Sequence, residues 1–312
     1  MITHHGINKG DIPRPVATIG SFDGVHRGHL SVIEALRDAA EKLRGHSVVI
    51  TFDPHPREIL YPGERKPGIL STLPEKIALL ERRGVEHLVV LPFTAETGNM
   101  EYDEFVDRVL VDRVGVKGLV IGHDHRLGKG RAGNRESLQR LADDFHFALR
   151  HQPVFATPDG SVSSTKIRDA LLAGNVRLAN ALLGYRYPIT GKVVPGEQLG
   201  RQIGFPTANL RLADERKLLP APGVYAIEAT VGDETRRGLL YIGARPTVSA
   251  SGRLSIEAHL FDFDRDLYGL PVTLSLLDRL RGERKFESIE ELQRQLLLDK
   301  QRVLSLPPSP SR

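Results

Sequence analysis

The chain has 312 residues, which is enough for two domains of ordinary size. It contains no cysteine, so disulfides and thiolate metal sites are excluded. The formal net charge of +4 suits anionic ligands such as nucleotides. However, the basic residues are spread along the chain and only 6% of residues are aromatic, so we expect no nucleic-acid partner. Residues 1–6 do not resemble the start of a signal peptide, and no apolar run approaches the roughly 18 residues that span a bilayer. We therefore expect a cytoplasmic protein without a membrane partner.

Short apolar runs alternate with helical patterns from residue 16 to about residue 184. Candidate strands lie at 16–19, 47–52, 87–93, 118–122 and 153–157. Helical periodicity covers residues 29–43, 74–83, 101–113 and 135–144 between them. Strands that alternate with helices predict a mostly parallel sheet, with ligands outside the carboxyl ends of its strands.

The pattern changes near residue 186. Helical stretches at 166–173 and 176–183 end at Gly174 and Gly184, where C-terminal caps are expected. Two-residue alternation then appears at 224–231, 238–242, 254–261 and 272–277, which predicts an antiparallel β domain. A helix at 289–304 begins with a capping box of Ser288 and Glu291. We expect a first domain at 1–185, a second at 186–305 and a disordered tail at 306–312.

Two histidines, His26 and His29, follow the first predicted strand within a glycine cluster. If a helix begins near Gly28, both imidazoles lie on one face of its first turn. Backbone N–H groups and the helix dipole make such a turn an anion site, and Gly20, Gly24 and Gly28 allow a phosphate to approach the backbone. The histidines would then hydrogen-bond charge that develops on a phosphoryl group. Two alternatives stay open here: a pair that only caps the helix, and a pair of metal ligands.

Residues 18–30 resemble the H-x-G-H segment of the nucleotidyltransferase superfamily, whose members transfer a nucleotidyl group from a triphosphate and release pyrophosphate. The resemblance implies that His26 and His29 stabilise the transition state. It also implies that Gly20, Ser21, Phe22 and Gly28 contact the nucleotide phosphates.

A second anion site is predicted where a helix opens at residues 163–168. Ser163, Ser164 and Thr165 are good N-cap residues. Capping of the helix is therefore the alternative to a functional role. Together with Lys166 and Arg168, the same hydroxyls and N–H groups form a cradle for phosphates. The segment resembles the S-S-T-x-I-R motif of FAD synthetases, where it holds the leaving pyrophosphate opposite H-x-G-H.

Two further segments of the first domain complete this resemblance. Residues 121–134 form a glycine-rich basic loop in which Lys129 and Arg131 would meet phosphates, although the triple His123-Asp124-His125 could instead suggest a zinc site. The family resemblance implies that Asp124 contacts the flavin. In bacterial FAD synthetases, aromatic residues usually stand at the places of His125 and Leu127. Residues 51–57 border the flavin in this family, which assigns Asp53, His55 and Pro56 to flavin binding.

The segment at residues 200–210 offers two neutral oxygen ligands, Thr207 and Asn209, within a glycine- and proline-containing turn. Neutral oxygens suit Mg²⁺ that already carries ATP phosphates. A simple hairpin loop is the alternative. The segment resembles the G-x-P-T-A-N motif of riboflavin kinases, which implies Mg²⁺ binding by Thr207 and Asn209 and phosphate binding by Gly200, Arg201 and Gly204.

Glu257 lies in a strand pattern where Ile256, Ala258 and Leu260 occupy the opposite face, so its spacing does not match the apolar core. A carboxylate beside a flavin could take the proton from the ribityl hydroxyl as the hydroxyl attacks ATP. The alternative is that Glu257 is an exposed strand residue without a catalytic role. A comparable E-x-H segment in riboflavin kinases supplies the base, which implies this role for Glu257. The family also implies flavin contacts for Arg281 and Phe286, where a solvated charge run is the alternative.

In this order, the motifs resemble the bacterial bifunctional riboflavin kinase/FAD synthetase family from about residue 16 to residue 303. The resemblance implies a Rossmann-like α/β nucleotidyltransferase domain with a parallel sheet, then an antiparallel β-barrel kinase domain with a C-terminal helix. The implied reactions are ATP-dependent phosphorylation of riboflavin to FMN and adenylylation of FMN to FAD, both with Mg²⁺. The expected partners are therefore small molecules: riboflavin, FMN and ATP; a homo-oligomer is left open.

The sequence departs from the family at Ser21 and near Tyr241, where asparagine is usual. An enzyme with kinase activity alone and a decayed first domain is therefore one alternative. A non-catalytic module that binds flavin or nucleotide is the other.

Overall fold

The computed structural model describes residues 1–60, 68–123, 128–129, 133–157, 160–196, 200, 203–244 and 254–307. The chain forms two compact units, Met1–Ser164 and Thr165–Arg312. The domain boundary predicted after residue 185 and the disorder predicted for 306–312 stay predictions, and residues 308–312 lie outside the described part. Within the described residues, no helix combines the length and the apolar character needed to cross a bilayer.

A six-stranded parallel sheet forms the centre of the first unit. Its strands are β1 (Ile2–His5), β2 (Pro15–Ile19), β3 (His46–Phe52), β4 (His87–Leu91), β5 (Gly118–Gly122) and β6 (Ala148–Gln152). Their spatial order is β1-β4-β3-β2-β5-β6. A separate hairpin pairs β7 (Ala156–Thr157) with β8 (Gly160–Ser161).

Helices cover both faces of this sheet. They are α1 (Arg27–Lys42), α2 (Pro56–Leu60), α3 (Leu73–Glu81), α4 (Ala95–Asn99), α5 (Tyr102–Phe105), which continues as a π-helix (Val106–Val114), and α6 (Arg135–Asp144). Alternate residues of each strand pack into two different apolar cores, because successive side chains point to opposite faces of the sheet. In β3, Val48 and Ile50 pack against the π-helix, whereas Val49 packs against α1 and α3.

The two edge strands of this sheet were not predicted from the sequence. The strand predicted at 153–157 is wrong as a strand of the sheet, since β6 occupies that place and only Ala156–Thr157 are extended, in the hairpin. Every residue of β1 and β6 is exposed or half-buried. Edge strands of this kind carry no apolar run, so hydrophobic periodicity does not reveal them.

The second unit opens with α7 (Ser164–Leu172) and α8 (Val176–Leu183), which are followed by Gly174 and Gly184 with φ of +75° and +80°, as predicted for C-terminal caps. Six antiparallel strands then close into a barrel, and α9 (Ile289–Ser305) follows. The strands are β9 (Pro188–Val194), β10 (Ala208–Leu212), β11 (Gly223–Val231), β12 (Glu234–Ala244), β13 (Leu254–Leu260) and β14 (Pro271–Arg281). Their order around the barrel is β10-β13-β12-β11-β14-β9.

Apolar residues fill the inside of the barrel and also cover part of its outer wall. Ile227, Leu240 and Ile242 are fully buried inside. On the outside, Val224, Ala226 and Leu280 form a second apolar cluster with Val303 of α9. The Ser288 hydroxyl caps α9 as predicted, but the Glu291 carboxylate accepts from the N–H of Glu287, so the reciprocal half of the capping box is not seen. The predicted fold class, a parallel α/β domain followed by an antiparallel barrel and a helix, is confirmed.

Candidate active sites

The H-x-G-H segment leaves the carboxyl end of β2 in the middle of the parallel sheet. β2 pairs with β3 on one side and with β5 on the other, and the strand order reverses between β2 and β5. Ligands of α/β sheets bind at this switch point. α1 begins directly afterwards, with His26 as its N-cap residue and His29 in its first turn. The positive end of the α1 dipole therefore lies at the predicted nucleotide site.

The loop between β2 and α1 has a strained backbone. Phe22 and Val25 have φ angles of +45° and +35°, a region that non-glycine residues enter at a cost of about 1–3 kcal/mol and mostly at functional sites. The buried carboxylate of Asp23 holds the loop by accepting hydrogen bonds from the backbone N–H groups of Leu70 (2.9 Å) and Ser71 (3.0 Å). At the start of the loop, the Gly20 N–H donates to the carbonyl of β3 residue Ile50 at 3.0 Å. The protein itself thus fixes the shape of this loop.

His26 and His29 form a stacked pair on the first turn of α1, as the spacing predicted. Their ring centroids lie 3.6 Å apart with 15° between the planes. His26 Nδ1 accepts a hydrogen bond from the His29 backbone N–H at 3.3 Å, so the neutral His26 ring carries its proton on Nε2. A Cβ at Gly28 would approach the His26 ring to 3.2 Å, which explains the absence of a side chain there.

The stacked geometry also bears on the two alternatives to an anion site. His26 does cap α1, so capping accompanies any functional role. The ring lone pairs lie in nearly parallel planes and do not converge on one ion. No cluster of three or more metal-binding side chains is found within the described ranges.

His29 is held in its neutral form. Burial, followed by the charges of His26 and of Lys76, lowers the pKa of His29 well below its usual value. Its Nδ1 is buried and makes no hydrogen bond with the described residues. Such a nitrogen has lost its water without a replacement, which is costly unless a ligand supplies the partner.

Lys76 is a site residue that sequence reasoning missed. It lies on α3, is 5% exposed, and donates from Nζ to the Ser21 carbonyl at 2.7 Å and to Thr51 Oγ1 at 3.1 Å. Thr51 Oγ1 donates to the same carbonyl at 3.1 Å. A buried lysine therefore joins the ends of β2 and β3 beside His29.

The serine end of the 163–168 segment lies beside the histidine loop. Ser164 Oγ donates to the Asp23 carbonyl at 3.0 Å, and the Val162 carbonyl lies 3.4 Å from the position of a Cβ on Gly28. Ser163 precedes the start of α7. Thr165 and Lys166 are exposed, whereas Arg168 is buried; these three residues belong to the second unit.

The other predicted residues of the first unit lie at the carboxyl ends of β3 and β5. Asp53 follows β3 and donates its N–H to the Leu91 carbonyl at 3.1 Å, while His55 and Pro56 lead into α2. Lys129 is exposed beyond β5. Four predicted or departing residues, Asp124, His125, Leu127 and Arg131, lie outside the described residues.

The barrel carries three residues in one row across adjacent strands. Glu257 of β13 lies opposite Asn209 of β10 on one side and opposite Tyr241 of β12 on the other. Directly opposed residues share a face, and Ile256 and Ala258 on the other face of β13 are buried in the interior. The row therefore lies on the outer wall, as the alternation of β13 predicted for Glu257.

Thr207 joins this row at the entrance of β10. Its Oγ1 lies 3.5 Å from Glu257 Oε2, at the outer limit of a hydrogen bond. Ser255 Oγ donates to Glu257 Oε1 at 2.8 Å. The structure thus brings together Thr207, Asn209 and Glu257, which sequence reasoning had assigned to one site.

The oxygen set around this row fits a hard cation. Thr207 and Asn209 provide neutral oxygens next to the Glu257 carboxylate, and such ligands suit Mg²⁺ bound to phosphates. A Cβ at Gly196 would overlap the Asn209 amide at 1.9 Å, so the glycine makes room for that side chain. Gly204, with φ of +77°, and Gly200 belong to the same loop, whereas Arg201 lies outside the described residues.

An open pocket of about 510 Å³ adjoins the loop that precedes Thr207. It is lined by Gly204, Phe205, His259 and Lys300, among others. His259 shares a 2.8 Å hydrogen bond with the Pro206 carbonyl, and burial lowers the pKa of its ring, with a smaller contribution from Lys300. A neutral His259 that donates from Nδ1 therefore fixes the loop against β13.

The predicted flavin residues of the barrel lie where β14 ends. Arg281 Nε donates to Asp299 Oδ2 of α9 at 2.9 Å. The guanidinium carbons of Arg281 and Arg284 lie 5.4 and 5.3 Å from the centre of the Phe286 ring, within cation–π range. The ring of Phe286 is thus ordered by its neighbours and remains half-buried.

Comparison with known proteins supports this division into two sites. A family model described as FAD synthetase matches residues 9–166, and one described as riboflavin kinase matches residues 183–306. The bifunctional riboflavin kinase/FMN adenylyltransferase of Escherichia coli (strain K12) is 37% identical over 296 residues, which cover 95% of this chain and 93% of that protein. The protein of the same description in Bacillus subtilis (strain 168) is 36% identical over 308 residues, 97% and 96% of the two chains.

A solved structure shares the fold over nearly the whole length. It is described as a macrolide-efflux protein from Streptococcus pneumoniae, has a TM-score of 0.88 and 33% identity, and the match covers 98% of this chain and 100% of that one. The two chains share their fold, and macrolide efflux is part of the description of the pneumococcal protein alone.

Fold and sites together define a chain with a nucleotidyltransferase-type α/β unit and a flavokinase-type barrel. The chain belongs to the family of bifunctional riboflavin kinase/FMN adenylyltransferases.

Proposed function

We propose that the chain phosphorylates riboflavin to FMN in its barrel unit and adenylylates FMN to FAD in its α/β unit, with the residues described above divided between the two reactions. The supporting observation is that part of each motif set meets within a single unit. His26 and His29 stack beside Ser164 at the start of α1, whereas Thr207, Asn209 and Glu257 meet on the wall of the barrel. Both reactions consume ATP, so we place them in the cytoplasm.

In the kinase reaction, Glu257 acts as the base. The ribityl 5′-hydroxyl oxygen of riboflavin forms a bond to the γ-phosphorus of ATP, and the bond from that phosphorus to the β–γ bridging oxygen breaks. The hydroxyl proton passes to the Glu257 carboxylate, and ADP leaves. Ser255 orients this carboxylate through its 2.8 Å hydrogen bond.

Thr207 and Asn209 would hold Mg²⁺ in the kinase half. When bound, the ion neutralises charge on the ATP phosphates. Gly200 and Gly204 line the phosphate side of the same loop in this proposal. The pocket beside Phe205 and His259 accommodates the rest of the nucleotide, and Arg281 and Phe286 contact the flavin.

In the adenylyl transfer, the chain's own groups stabilise charge and need not remove a proton. A phosphate oxygen of FMN forms a bond to the α-phosphorus of ATP, and the bond from that phosphorus to the α–β bridging oxygen breaks, so that pyrophosphate leaves. His26 donates from Nε2 to the developing charge, and the buried Nδ1 of His29 gains a ligand partner. Gly20, Ser21, Phe22, Gly28 and Lys129 line the nucleotide side. Ser163 and Ser164 hold the pyrophosphate, and Asp53, His55 and Pro56 face the flavin.

Incubation of the purified chain with riboflavin, ATP and Mg²⁺, followed by chromatographic separation of the flavins, tests the proposal. We expect FMN to form first and FAD afterwards, and chelation of Mg²⁺ with EDTA to stop both steps. Absence of FMN would contradict the kinase assignment. FMN without FAD would instead support the alternative of a decayed first site.

A further inference from the structure

Tyr241 stands at the end of the row on the outer wall of the barrel, directly opposite Glu257. Its hydroxyl donates a 2.7 Å hydrogen bond to Oε1 of Glu283, which lies just beyond the end of β14. The side chain therefore connects the strand next to the proposed base with residues 282–286, the segment that carries Phe286.

The barrel is adapted to this connection at Gly243. Tyr241 and Gly243 are two residues apart and share one face of β12. A Cβ on Gly243 would lie 2.2 Å from the Tyr241 hydroxyl oxygen and 2.1 Å from Glu283 Oε1, so any side chain there would collide with the hydrogen-bonded pair. The phenol ring also packs against the apolar cluster around Val224 and Leu280, which fixes its direction.

Two ion pairs hold the 282–286 segment, one just before it and one at its centre. Arg281 pairs with Asp299, and Arg284 pairs with Glu291, both on α9. These ion pairs attach the segment to the helix, whereas Tyr241 attaches it to the barrel wall. Burial and the negative charges of Glu283 and Glu257 raise the pKa of Tyr241 above its usual value, so the phenol keeps its proton and donates at all physiological pH values.

We propose that Tyr241 is a positioning residue of the kinase half, which holds residues 282–286 over the barrel wall so that riboflavin binds beside Glu257. The inference rests on the proposed roles of Glu257 as base and Phe286 as a flavin contact.

Riboflavin saturation curves at saturating Mg²⁺ and ATP test the inference in the full-length variants Tyr241→Phe, Glu283→Gln and the double variant. A hydrogen bond from a phenol to an exposed carboxylate is worth about 1 kcal/mol, so each single variant should raise the riboflavin KM roughly three- to tenfold and leave kcat within about twofold. The double variant should be no worse than either single one, because both remove the same bond. Tyr268→Phe, at an exposed tyrosine of the same unit, is the matched control and should leave KM unchanged.

FAD formation from supplied FMN should be unaltered in every variant, and a riboflavin kinase kcat within about twofold of the parent shows that the barrel is folded. An unchanged riboflavin KM in Tyr241→Phe, or losses that add in the double variant, would overturn the inference. Glu257→Gln separates it from the proposed function: that variant should lose kcat but still quench riboflavin fluorescence on binding. If Glu257→Gln kept its kcat, the base assignment would fail whatever the result at Tyr241.

Discussion

The two candidate sites of this chain present side chains of different charge. At the start of α1, the described groups are the imidazoles of His26 and His29 and the amino group of Lys76, next to the positive end of a helix dipole. On the barrel wall, the carboxylate of Glu257 stands among the neutral oxygens of Thr207 and Asn209.

The difference follows from the two nucleophiles. A phosphate monoester such as FMN is already largely ionised at neutral pH, so its attack needs no base and the site only has to stabilise charge. The hydroxyl of riboflavin keeps its proton until the transition state, so the second site requires a carboxylate within reach. In the proposed assignment, the charge of each site therefore matches the ionisation of the group that attacks there.

Removal of the carboxylate is the most severe test of this contrast. Glu257→Gln keeps the shape of the side chain but cannot accept the proton, so FMN formation should fall about 10²–10⁴-fold. FAD formation from supplied FMN should be unchanged, as measured by chromatography of the flavins. Glu234→Gln, at a half-buried glutamate of β12 that pairs with Arg236 and Arg265, is the control. Equal losses of both products would contradict the separation of the two sites.

The reciprocal change is His29→Ala. It removes a group that stabilises developing charge, so FAD formation should fall about 10²–10³-fold while FMN formation is retained. Initial rates of each half-reaction, measured with its own flavin substrate, give the comparison. His5→Ala, at an exposed histidine of β1, should have no effect. FAD formation that survived His29→Ala would leave only the capping role for the histidine pair.

A smaller effect is expected at Lys76, and it appears in the pH dependence. The charge of Lys76 contributes to the low pKa of His29, so Lys76→Met should raise that pKa towards its usual value. If neutral His29 is the active form, the acidic limb of the FAD-forming rate must move to higher pH, while the kinase profile stays in place. Lys76→Arg keeps the charge and should keep the profile. An unmoved acidic limb in Lys76→Met would show that Lys76 acts through its hydrogen bonds alone.

Sequence reasoning found the residues that a pattern among their sequence neighbours reveals. His26 and His29 lie three residues apart after an apolar strand, and Glu257 stands out because its neighbours Ile256 and Ala258 alternate towards the core. The fold class followed in the same way, from strands that alternate first with helices and then with turns. These patterns need no knowledge of distant contacts.

The residues that sequence reasoning missed depend on long-range register. Lys76 lies 55 residues from the Ser21 carbonyl that it contacts, and in the sequence it is one more lysine on an amphipathic helix. His259 is 53 residues from the Pro206 carbonyl. The edge strands β1 and β6 gave no signal either, since neither is buried on a face. Only the assembled tertiary structure identifies such partners.

The alternation along β13 has a consequence for how this strand tolerates changes of length. Ser255, the proposed base Glu257 and His259 lie on the outer face of the barrel, while Ile256, Ala258 and Leu260 pack in its core. Odd and even positions of the strand therefore meet different surroundings. Deletion of a single residue inside β13 would exchange the two sets, bury a carboxylate and expose the apolar residues. Insertions or deletions within β13 should therefore be tolerated, if at all, in pairs.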